Sequence, residues 1–75
     1  MIHKIKLSPT NIKEFNNFAN KYPNTVIQIA QGNVTISAKS SYLGYSILDF
    51  EKEMTLIVYD DDTGGIIQSF QQWFI

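Results

Sequence analysis

At Leu7-Ser8 the hydrophobic period of the chain changes from two to about 3.6 with no linker between. Upstream, residues 2 to 7 alternate: His3, Ile5 and Leu7 share one side and Lys4 and Lys6 the other, the pattern of a half-buried strand. Downstream, Ser8 offers an N-cap acceptor, and Pro9 suits the first helical position because its φ is preset and it lacks an N–H. Ile12, Phe15, Phe18, Ala19 and Tyr22 then recur at spacings of three and four, which predicts a helix with one apolar stripe; Lys13, Glu14, Asn16, Asn17 and Asn20 are left for water. Pro23 stops it near Tyr22. A helix inserted after the first strand forces the chain to cross over before the next.

The β-branched stretches Thr25 to Ala30 and Val34 to Lys39 flank Gln31-Gly32-Asn33, in which Gly32 or Asn33 can take positive φ, and predict a hairpin. In its second arm Val34, Ile36 and Ala38 oppose Thr35, Ser37 and Lys39, so one sheet face is polar and helices cover the other. Ser40-Ser41 supplies a cap before Tyr42 to Leu48, a helix of about two turns weakened by Gly44. Met54 to Tyr59 is a β-prone run suited to the middle of the sheet. The turn Asp60 to Gly65 closes it, with carboxylates that complement the positive end of a last helix. That helix buries Ile66, Ile67, Phe70 and Phe74, with Trp73 beside them. The order βαββαβα predicts an α+β open-faced sandwich: a four-stranded antiparallel sheet with three helices on one face.

With 75 residues and 44% of them hydrophobic, the chain is too apolar for a disordered segment and too short for two domains, so residues 1–75 are read as a single domain. Zero cysteines exclude a disulfide scaffold, a thiolate metal site and a cysteine nucleophile, and a lone histidine excludes a histidine metal cluster. Six lysines against seven carboxylates, with no arginine, argue against nucleic acid as a partner. No run reaches the ~18 apolar residues of a membrane span, and residues 1 to 8 lack the apolar block of a secretory signal, which makes a cytoplasmic location the default. No cofactor or metal is expected.

This element order, together with Lys39-Ser40-Ser41-Tyr42-Leu43-Gly44 and the spacing to the last strand and helix, resembles the HPr family, the small histidine-containing phosphocarrier proteins of the bacterial sugar phosphotransferase system. The resemblance runs from the first strand to the last helix and implies an HPr-like fold. In that family a histidine at the junction of strand 1 and helix 1 accepts the phosphoryl group, and an arginine two residues later steadies it. Aligning helix 1 without gaps places Ser8 at the histidine's position and Thr10 at the arginine's, so both active-site residues are missing. Asn17 and Asn20 stand where the family often has lysines that meet an acidic partner.

The family's regulatory serine, phosphorylated by a dedicated kinase, maps to Ser41 counting back from Gly44 and to Ser40 counting forward from Lys39. A plain capping role is the simpler reading of either. Family members dock partners through helix 1 and the helix at this position, and Tyr42, Leu43, Tyr45 and Ile47 crowd that helix beyond what it can bury, so Tyr42, Leu43 and Tyr45 are candidate partner-binding residues. Other candidates carry blander readings. His3 is read as structural, Asp60 to Asp62 as a solvated turn without the spacing of a calcium loop, Gly64-Gly65 as unfit for an anion beside three carboxylates, and Ser8 as a helix cap. Two functions result: a non-catalytic protein-binding or regulatory module related to the sugar phosphotransferase system, or a phosphocarrier or serine-phosphorylated regulator of that system.

Overall fold

A computed structural model describes residues 1–59 and 65–75. Four strands, β1 (Ile2–Ile5), β2 (Val26–Gln31), β3 (Val34–Ser37) and β4 (Met54–Tyr59), form one antiparallel sheet in the order β1-β4-β2-β3. Helix α1 (Ile12–Ala19) joins β1 to β2, a 3₁₀ helix (Tyr42–Ile47) joins β3 to β4, and a short helix α2 (Gly65–Gln68) follows β4. The architecture is α+β with an open four-stranded antiparallel sheet and about three helices. The β2–β3 turn has Gly32 at φ 58°, the left-handed conformation that glycine adopts without a Cβ penalty.

Register explains the layering. Pairing Ile5 with Met54, Ile27 with Val58 and Ile29 with both Leu56 and Ile36 puts these side chains on one face. All but the half-buried Ile36, which packs against them, join Phe15 and Ala19 of α1, Tyr45, Leu48, Ile67, Phe70 and Trp73 in a single buried cluster. Phe15, Phe18, Phe70 and Trp73 meet there with ring centroids 4.8 to 5.8 Å apart, in tilted and edge-to-face arrangements. The opposite face carries Lys4, Thr35 and Ser37, all exposed, and Ile2, Val26 and Tyr59, also exposed.

Three expectations need correction. The last helix is not continuous: after α2 comes a separate 3₁₀ turn, Gln71–Trp73, and Phe74 then pairs with Ile5 along the outer edge of β1. The N–H of Lys6 donates to the carbonyl of Trp73 and that of Ile75 to the carbonyl of Lys4, each at 3.2 Å. Phe74 satisfies a strand period as well as a helical one, and the open β1 edge supplies the backbone partners that decide between them. Helix α1 starts at Ile12, although its first backbone bond, Ile12 N–H to the Ser8 carbonyl, already encloses Pro9. Third, Asn16 is buried rather than solvated. The Asp60 to Asp62 turn and Gly64 lie outside the described residues.

Candidate functional site

The junction aligned with the family's phosphoryl site is a closed hydrogen-bonded turn. Ser8 does not cap α1 with its hydroxyl as expected; the Asn11 side chain accepts the Ser8 N–H at 2.8 Å, while the Ser8 and Thr10 hydroxyls bond to each other at 2.9 Å. The two aligned positions are therefore adjacent. The hydroxyl partner of Ser8 is another hydroxyl, which is no general base, so the pair has no means of making Ser8 a strong nucleophile.

His3 stands elsewhere. It pairs with Leu56, upstream on β1, up to about 16 Å from Ser8 at strand rise. Its Nδ1 donates to the Lys4 carbonyl at 2.9 Å, and its ring stacks on Phe74. The stack ties the C-terminal segment to β1, and the hydrogen bond, within β1 itself, orients the ring for it.

The second region is the 3₁₀ helix. Ser41 is its N-cap and its hydroxyl accepts the Leu43 N–H at 3.4 Å; Ser40, also exposed, directs its carbonyl to the Asn16 side chain. Tyr45 must be withdrawn as a partner-binding residue: it is fully buried and its hydroxyl donates to the Ala38 carbonyl at 2.7 Å. Burial pushes this phenol up to about 12, with a hydrogen bond to Asn16 acting in the opposite direction. Asn16 Nδ2 also reaches the Ala38 carbonyl, at 2.8 Å, so α1, the end of β3 and the 3₁₀ helix share one buried polar knot. A helix-surface asparagine and this buried one look alike in sequence, and no signal there distinguishes them.

With Tyr45 and Leu48 turned inward, the same helix presents Leu43 at 69%, Ile47 at 61% and Tyr42 at 38% exposure. The Lys13 ammonium of α1 lies 5.8 Å from the Tyr42 ring centroid, linking the helix to the start of α1. A shallow concavity continues along α1, lined by Thr10, Lys13, Glu14, Asn17, Phe18 and Lys21. The arrangement suits noncovalent docking: outward-facing apolar side chains beside a mixed-charge rim.

Among the described residues, no three His, Cys, Asp or Glu side chains come together as metal ligands, and no helix is long and apolar enough to cross a membrane. Compared with protein-family models, with curated proteins and with solved structures, the chain gives no match.

Proposed function

We propose that this chain is a non-catalytic protein-binding or regulatory module of HPr-like layout, related to the sugar phosphotransferase system. The observation that carries the reading is the division of labour within one short helix. Tyr45 and Leu48 anchor it in the core, and Leu43 and Ile47 face outward from that anchored backbone, exposing apolar surface that a partner can cover. In the gapless alignment Ser8 and Thr10 take the positions of the family's histidine and arginine, and their mutual hydrogen bond offers neither a nucleophilic nitrogen nor a cation. The alternation of strands and helices supports the layout.

The test has two arms. Incubation with the phosphoenolpyruvate-dependent enzyme of the phosphotransferase system leaves the intact mass unchanged; an acid-labile gain of one phosphoryl group would overturn the non-catalytic reading. Titration of ¹⁵N-labelled protein with proteins of that system shifts amides around Leu43, Ile47 and the start of α1, and Leu43→Ser with Ile47→Ser abolishes those shifts while the fold is kept. Shifts confined to another face remove this docking surface. A second reading is favoured by the exposure of Ser40 and Ser41 at the helix start: an acid-stable mass gain with the system's serine kinase would make the module phosphoregulated.

A further inference from the structure

Apart from the Tyr45 phenol, Asn16 is the only buried polar side chain among the described residues. Its Nδ2 group carries two hydrogens and has two acceptors, the Ala38 carbonyl at 2.8 Å and the Ser40 carbonyl. Those carbonyls stand on either side of Lys39, in the segment that leads from β3 into the 3₁₀ helix. From the middle of α1, the amide therefore grips the backbone just before the surface formed by Tyr42, Leu43 and Ile47. Lys13, three positions earlier on α1, reaches the Tyr42 ring from outside.

A helix of this kind needs an outside hold. It has six residues in the 3₁₀ form, whose hydrogen-bond geometry is poor, and Gly44 lies within it. Its ring contact with α1 is the edge-to-face pair of Tyr45 and Phe15, centroids 6.4 Å apart. Apolar burial is non-directional, so it draws Tyr45 inside without fixing how the helix lies across α1. Hydrogen bonds to two separate carbonyls do fix it, because each demands its own distance and angle. Burial alone would be served as well by an apolar side chain at position 16; what the amide adds is orientation. We infer that Asn16 is the positioning residue of the docking surface, setting the 3₁₀ helix against α1 so that Leu43 and Ile47 lie beside Lys13 as one continuous surface. The consequence for binding rests on the function proposed above; the positioning itself rests on the hydrogen bonds.

Asn16→Leu keeps the branched outline of the side chain and removes both donors. The Ala38 carbonyl keeps the Tyr45 hydroxyl, and the carbonyl of exposed Ser40 turns to water, so the variant folds. Hydrogen exchange then compares the Gly44 and Leu48 amides, bonded within the helix and its cap, with those of Ile29 and Leu56 in the sheet. Acceleration at Gly44 and Leu48 exceeds that at Ile29 and Leu56 by about tenfold or more, and nuclear Overhauser contacts between Lys13 and Tyr42 are lost. Equal acceleration at all four amides, the mark of a merely stabilising side chain, overturns the inference, and so does an unchanged helix. On the unaltered protein, couplings across the hydrogen bonds join Asn16 Nδ2 to the carbonyl carbons of Ala38 and Ser40; their absence overturns it whether or not the variant folds. Neither readout needs a partner. Titration with proteins of the phosphotransferase system tests the consequence: the shifts at Leu43 and Ile47 in the parent require about tenfold more partner, or more, in Asn16→Leu. A parent without such shifts removes the docking function and leaves the exchange ratio to decide the positioning role.

Discussion

The imidazole of His3 lies flat on the ring of Phe74, centroids 3.6 Å apart and planes 9° from parallel, although 71 positions separate the two residues. The stack sits over the short ladder in which the C-terminal residues pair with β1. Replacing Phe74 by Ala should cost about 1–2 kcal/mol in urea denaturation, since it removes a half-buried aromatic surface along with the stacking contact. Hydrogen exchange at the Lys6 and Ile75 amides should accelerate more than at β2, because the loss is local to the ladder.

Asn16 ties three elements together through the carbonyls of Ala38 and Ser40. Asn16→Ala should destabilise the fold by about 2 kcal/mol, from lost hydrogen bonds and a small void, with Asn16→Asp as a second probe that removes the donor and keeps the shape. Asn17→Ala, one position along and exposed, should stay within about 0.5 kcal/mol of the parent. Equal melting temperatures for the two alanine variants would contradict the placement of Asn16.

Tyr45 makes stability fall in strong base. Its folded pKa of about 12 lies above the ordinary value of 10.0, so the native state holds this proton when the unfolded state has released it. The stabilisation is complete below pH 10, declines as pH rises, and is lost by about pH 12. The decline attributable to this group is on the order of 2 kcal/mol. Tyr45→Phe removes that component, at the cost of about 1 kcal/mol at neutral pH for the hydrogen bond to Ala38; matched denaturation curves at pH 8 and pH 11 isolate it.

Tyr42 and Tyr45 differ in the same way under truncation. Tyr42→Ala should change stability by less than about 1 kcal/mol, and Tyr45→Ala by about 3–5 kcal/mol, enough to unfold a domain of this size. Thermal melts followed by circular dichroism distinguish the two.

Much of this fold is legible in local pattern. Alternation locates β1 and β3, β-branched density locates β2 and β4, and the three-and-four spacing of Phe15, Ala19 and their neighbours locates α1. What local pattern misses is settled by partners distant in the chain. Phe74 leaves a helical period because Ile5 offers it a strand, and Asn16 turns inward because Ala38 and Ser40 hold carbonyls there. In the candidate site, crowding on Tyr42 to Leu48 correctly suggests that some apolar side chains stay outside, yet it does not say which: Tyr45 goes in because the Ala38 carbonyl receives its hydroxyl, and Ile47 stays out. The Ser8 cap fails for a related reason, a nearby Thr10 hydroxyl competing for it.

The clasp of residues 74 and 75 on β1 holds the last residues of this sequence beside its first strand. Prising either segment loose strips backbone partners from the other, so the two sequence extremes open together as one unit rather than fraying independently.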